Sequence, residues 1–171
     1  MKHPWLIGIL MTLGSLSAPS EEFPRIIDPD CSLFGFPFRT SEQTFIRAVG
    51  APDGCLHVPG NESWLLYGKG CAFLFVNQQL QGVRLYRSGL PPGMDASQVP
   101  GAPWEMANGI KPGMNLAEIK GMLGDQLSGP HGYQQSYTTS NALVRLLFSC
   151  QAGEVDSDQR YVLSGILVMQ K

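Results

Sequence analysis

Two kinds of apolar pattern run along the chain. In Thr40-Ser-Glu-Gln-Thr-Phe-Ile-Arg-Ala-Val-Gly50, Phe45, Ala48 and Val49 recur at helical spacing, and Gly50 follows where a left-handed C-terminal cap costs least. In Asn115-Leu-Ala-Glu-Ile-Lys-Gly-Met-Leu-Gly124, Ile119, Met122 and Leu123 precede a glycine in the same way. Each predicts a short capped helix. The first has a capping box if Thr40 caps with Gln43, while Ser41 is the residue that aligns with Asn115. The second kind of pattern is strand-like and rich in β-branched and aromatic residues. Ser63–Tyr67, Cys71–Val76 and Gly82–Tyr86 follow the first helix, separated by turn residues; Tyr133–Tyr137, Ala142–Phe148 and Leu163–Met169 follow the second.

The order helix, strand, strand, strand therefore occurs twice. The fold class it predicts is α+β, two tandem repeats, each a short helix packed on an antiparallel β-meander. Repeat 1 is placed at 33–87 and repeat 2 at 109–171. A Pro- and Gly-containing linker spans 88–108, and an irregular arm spans 18–32, with a short edge strand possible at Arg25-Ile-Ile27. Period-two reading turns Phe73, Phe75, Val83 and Leu85 toward one helix, and Val144, Leu146, Phe148, Ile166 and Val168 toward the other. It leaves Leu74, Val76, Arg84 and Tyr86, and Leu143, Arg145, Leu147, Leu167 and Met169, on the opposite faces. Those faces mix apolar residues with Arg, a composition suited either to a protein contact or to the two sheets joining or covering one another.

Residues 1–17 have a basic start, an apolar run from Trp5 to Leu13, and Ser15-x-Ser17 as a small-residue cleavage site. This is the form of a secretory signal peptide, too short and too interrupted for a membrane span. No later segment is long and apolar enough to span, so no stable membrane insertion is expected after cleavage. The expected destination is the periplasm or the exterior. Removing Lys2 with the leader takes the formal charge from −2 to −3. With no basic excess or dense Lys/Arg stripe, nucleic acid is excluded as a partner class.

All four cysteines, Cys31, Cys55, Cys71 and Cys150, follow the leader, and an even count in an exported chain favours disulfides. Sequence does not determine the connectivity. The favoured pairing ties Cys55, in the loop after the first helix, to Cys71, and leaves Cys31 to meet Cys150. Zinc on Cys55, His57 and Cys71 is the alternative, with a spacing that matches no standard ligand pair. His57 and His131 sit in loop-like surroundings. Glu154, Asp156 and Asp158 form an acidic loop that makes an incomplete calcium set and reads as a solvated hairpin tip. No nucleophile elbow, paired-histidine metal motif or phosphate-cradling glycine loop occurs, so no enzyme activity, metal or cofactor is expected.

The stretch Gly109-Ile-Lys-Pro-Gly-Met-Asn-Leu-Ala-Glu-Ile-Lys-Gly-Met-Leu-Gly124, then Tyr137, then an apolar strand ending in Phe148, resembles exported proteins built from tandem helix-plus-sheet repeats. The pattern, over residues 33 to 169, is similar to the β-lactamase inhibitor protein and to the SmpA/OmlA type. The first resemblance implies a concave sheet that clasps an enzyme; the second implies outer-membrane assembly. The expected function is a non-catalytic inhibitor of a toxic or lytic enzyme, most simply a periplasmic immunity protein. An envelope accessory protein docking on an outer-membrane complex is the alternative. Contact inhibition needs only aromatic and Arg anchors. The candidates are Trp64, Tyr67, Arg84, Tyr86, Tyr133, Tyr137 and Arg145, with Asp53 and Glu62 as acidic plugs.

Overall fold

A computed structural model describes residues 26–68, 70–86, 104–130, 132–151 and 158–171. The predicted signal peptide, His131, most of the linker, Glu154 and Asp156 lie outside these residues. Strands β1 (Ile26–Asp28), β2 (Ser32–Leu33) and β3 (Phe36–Pro37) precede helix α1 (Glu42–Val49). Strands β4 (Gly54–Val58), β5 (Glu62–Tyr67), β6 (Cys71–Val76) and β7 (Gln79–Tyr86) follow it. Then come β8 (Glu105–Met106), helix α2 (Leu116–Leu123), β9 (Gln134–Thr138), β10 (Ala142–Cys150) and β11 (Tyr161–Gln170).

The strands form two sheets: a seven-stranded sheet in the order β4-β5-β6-β7-β11-β10-β9, and a four-stranded sheet in the order β3-β2-β1-β8. Every pairing in the larger sheet is antiparallel. This corrects the expectation of two tandem helix-plus-meander repeats. The described molecule is mostly β, with two eight-residue helices. The strands assigned to separate meanders meet along β7 and β11, with Gly82 opposite Met169 and Gly165 opposite Tyr86. The physical reason is that a short meander leaves open backbone edges, and two such edges satisfy each other's donors and acceptors. The halves are also unequal: four strands of the joined sheet come from before residue 87 and three from after residue 133. The arm supplies β1, where the short edge strand was expected, and Ser32 of β2, while the end of the linker, expected to be irregular, supplies β8 of the smaller sheet. Its parallel β1–β8 pair places Ile27 opposite Met106.

One face of the large sheet carries the core. Phe73, Phe75, Val83, Leu85, Val144, Leu146, Phe148, Ile166 and Val168 are all buried there, in one cluster with Ile27, Leu33, Met106 and Ile110. Phe45 of α1 sits at its centre, its ring 4.5 to 5.9 Å from those of Phe36, Tyr67, Phe73 and Phe75. Such tilted and edge-on aromatic pairs add to the gain from burial. Ser41 caps α1 through Thr44, and Asn115 forms a full capping box with Glu118 on α2. Helix contacts differ in detail from the spacing: Ala48 and Met122 face solvent, and Leu116 joins Ile119 and Leu123 in the core. Asp30 fastens the arm to the β9–β10 turn, accepting from Ser140 Oγ at 2.7 Å and from Asn141 N at 3.2 Å. The Ser140 hydrogen bond holds the Asp30 carboxyl below its usual range. Among the described residues, no helix is long and apolar enough to cross a membrane.

Neither expected disulfide forms; all four cysteines are free. Cys55 lies opposite Leu65, and Cys71 opposite Tyr67, with β5 between them. Two strand spacings and a two-residue offset separate their Cα atoms by roughly 12 Å, beyond the reach of an S–S bridge. Cys31 follows Asp30, which is bonded to the turn before β10, whereas Cys150 ends that nine-residue strand, about 26 Å away.

Candidate functional site

Alternation assigns the face of the large sheet opposite the core. One row crossing it reads Ser136, Arg145, Leu167, Arg84, Ala72, Leu66 and Gly54. A flanking row reads Thr138, Leu143, Met169, Gly82, Leu74, Trp64 and Leu56, and on the other side Leu147 and Gly165 lead to Tyr86. No described helix or strand packs on this face. Leu66, Ala72 and Leu74 are nearly buried within it, while Trp64, Tyr86, Leu143, Arg145, Leu147, Leu167 and Met169 are half-buried and Arg84 is exposed.

The two arginines share a row, separated by Leu167 on the intervening strand. Their Cα atoms are thus about 9.6 Å apart, two strand spacings. The Arg84 guanidinium carbon lies 4.6 Å from the centre of the Tyr86 ring, a cation–π contact that holds the side chain down along the sheet. Tyr86 in turn lies over β11: a Cβ at position 165 would stand 3.2 Å from its ring. Arg145 Nε is buried and has no hydrogen-bond partner. A buried donor without a partner costs free energy that an incoming acceptor recovers.

The sequence-predicted anchors divide into groups. Trp64, Arg84, Tyr86 and Arg145 share the outer face, Trp64 lying four strand spacings, about 19 Å, from the strand of Arg145. Tyr67 and Tyr137 do not: both point into the core. The Tyr67 hydroxyl donates to Gly50 O at 3.0 Å. The Tyr137 hydroxyl accepts from Asn108 Nδ2 at 3.3 Å and donates to Met106 Sδ at 3.7 Å. Burial pushes both phenols up to about 12. Tyr133 is exposed elsewhere, edge-on to Tyr161 at 5.5 Å. Asp53 ties the approach to β4 to the β5–β6 turn, its carboxylate accepting from Gly68 N at 2.8 Å.

Glu62 starts β5 and lines a groove of about 910 Å³ beside α1, with Glu42, Ile46, His57, Asn61 and Asn77. Glu42 there accepts from Ser63 Oγ at 3.0 Å. His57 Nε2 is 3.6 Å from Cys55 Sγ on the edge strand β4, a proximity the two-residue spacing alone could have signalled. This thiol is not poised for attack, because burial and then the Glu42 charge raise its pKa. Cys71 is wholly buried and far from both, so it does not complete the zinc set considered from sequence. Among the described residues, no group of three or more potential metal ligands is found. Asp158 forms an ion pair with Lys120 at 2.7 Å.

No protein-family model matches the chain, and no curated protein matches it. Among solved structures it is similar to an extracellular protein containing an SCP domain from Bacillus anthracis, at 10% identity and a TM-score of 0.48. That match covers 77% of this chain and 43% of the other. It is also similar to a cysteine-rich secretory protein from Staphylococcus aureus, at 10% identity and a TM-score of 0.41, covering 78% and 44% respectively. The chain thus spans less than half the length of either. The resemblance to the β-lactamase inhibitor protein and the SmpA/OmlA type drawn from the motifs is corrected by the fold itself, one seven-stranded and one four-stranded sheet in place of two tandem repeats.

Proposed function

We propose that the chain is an exported, non-catalytic binding protein that engages a protein target through the outer face of its seven-stranded sheet. Inhibition of a toxic or lytic enzyme by contact, as an immunity protein would act, is the form of this function that we favour. The observation that carries the reading is Arg145 Nε, buried without a partner in a face that also presents Arg84, Tyr86 and Trp64. Arg and aromatic anchors in partly desolvated surroundings are the residues that dominate protein interfaces. The raised pKa of the Cys55 thiol supports binding over nucleophilic chemistry. Export rests on the leader, and the extracellular and secretory descriptions of the two matched proteins agree with it in kind.

The test places a photo-reactive amino acid at Met169 on the outer face, and at Gln126 as a control, in the native host. A discrete cross-linked protein is expected from position 169 alone, and it should be lost in W64A. The purified partner, when it is an enzyme, should lose activity in proportion to added chain. Equal cross-linking from position 126, or cross-links that survive W64A, would refute the assignment.

A further inference from the structure

The outer face is cationic on a molecule that is acidic overall, with a net charge of −2 and a pI near 5.9. Among its described residues the only carboxylate is Glu62, the first residue of β5, at the rim of the face beyond Trp64 and Leu74 where it also borders the α1 groove. Neither Arg84 nor Arg145 donates to a carboxylate among the described residues. We infer that the partner's contacting segment is acidic: it presents an Asp or Glu carboxylate, flanked by apolar side chains, between Arg84 and Arg145 above Leu167. The inference rests on the binding function proposed above and names the chemistry of that same face.

Three features favour this occupant. A guanidinium offers a planar fork matched to a carboxylate, and two of them separated by about 9.6 Å are long enough to converge on one group between them. Arg145 Nε is buried against the sheet without an acceptor, so the side chain already bears part of its desolvation cost and gains a partner by turning outward to a carboxylate. Leu143, Leu147, Leu167 and Met169 around the pair are half-buried and apolar, so the carboxylate must arrive on a segment that is otherwise greasy. A second copy using the same face does not suit it, because a two-fold contact centred on this row brings Arg against Arg.

The probe is a library of random dodecapeptides displayed on phage, selected against the immobilised full chain, with enriched peptides then titrated in solution. Enriched peptides are expected to carry one Asp or Glu between apolar residues. Their affinity should fall at least about tenfold in R84A and in R145A. R84E should lose the acidic peptides and bind versions with Lys in place of the acid. Circular dichroism of each variant separates loss of binding from loss of fold, and the surface position of Arg84 makes R84E the safer of the two sites.

Enriched peptides that lack an acid but lose binding in L167D overturn the acidic partner and leave the binding face standing. Peptides indifferent to L167D, R84E and W64A overturn both. A concentration-dependent dimer abolished by R84E places a second copy on the face. Peptide binding that requires excision of residues 88–103 places the chain's own segment there. Either result overturns the inference.

Discussion

The joint between β7 and β11 makes a sharp demand on two glycines. A Cβ added at Gly165 would stand 2.5 Å from Leu85 O and 3.2 Å from the Tyr86 ring; one added at Gly82 would stand 2.5 Å from Val168 O. An ordinary contact needs about 3.4 Å, so Gly165→Ala must push the strands apart by almost 1 Å or twist β11 out of register. Overpacking of this kind costs about 1–3 kcal/mol, and a weakened ladder hydrogen bond adds about 1 kcal/mol. The stiffer unfolded chain returns about 0.4–1 kcal/mol. The net loss is therefore about 1–3.6 kcal/mol, or a fall in Tm of roughly 2–14 °C for a domain of this size.

Gly121 provides the control. It lies inside α2, and a Cβ there meets nothing within 4 Å. Gly121→Ala should instead stabilise by about 0.5–1 kcal/mol, from helix propensity alone. Thermal melts followed by circular dichroism compare the two, and hydrogen exchange locates the damage. In G165A, amides of β7 and β11 should lose protection before those of β5. A G165A protein that melts at or above the wild-type temperature would show that the joint has slack, and the account of how the sheet is assembled would fail.

Phe45→Ala removes the ring against which four aromatics pack, and should cost about 3–5 kcal/mol by urea denaturation; a loss under 1 kcal/mol would mean the helix is not seated on the sheet. Ellman's reagent should titrate Cys31, Cys55 and Cys150 in the native protein and reach Cys71 only in denaturant, because burial pushes that thiol up and hides it; a native count of zero would reveal disulfides. Tyr67 and Tyr137 have folded-state pKa values of about 12 against an ordinary 10, so the unfolded chain ionises first. Their contribution to stability is whole below pH 10 and is lost as pH rises toward 12. Absorbance at 295 nm should show two of the five tyrosines titrating late.

Strand positions were legible in the sequence because alternation is local. The runs at Ser63–Tyr67, Cys71–Val76 and Ala142–Phe148 fall within β5, β6 and β10, and the capping side chains mark both helix starts. Strand neighbours were not legible. Period two states which residues share a face and says nothing about which edge that strand will meet, so β7 reads the same whether it closes a meander or joins β11. The strands of the small sheet run two or three residues, too short for any periodicity. In β5, Trp64 and Leu66 alternate with Leu65 and Tyr67, and both sets are apolar. Composition therefore could not say that Tyr67 belongs with the core and Trp64 with the outer face. Tyr137 was misplaced for the related reason that its hydroxyl finds partners, Asn108 and Met106, from the stretch expected to be a linker or its border.

What the sequence left open is also what creates the candidate site. Arg84 belongs to β7 and Arg145 to β10, and in two separate meanders each would be an isolated cation on a small surface. Joining the edges puts them in one row with Leu167 between them, at a spacing set by the hydrogen-bond ladder and not by side-chain flexibility. The glycine at 165 then lets Tyr86 lie across the joint and hold Arg84 down. A partner meeting this face encounters two cations already positioned, so less ordering entropy opposes binding than at two mobile surface arginines. The proposed binding surface is thus a property of the assembled sheet, which neither half of the chain could present alone.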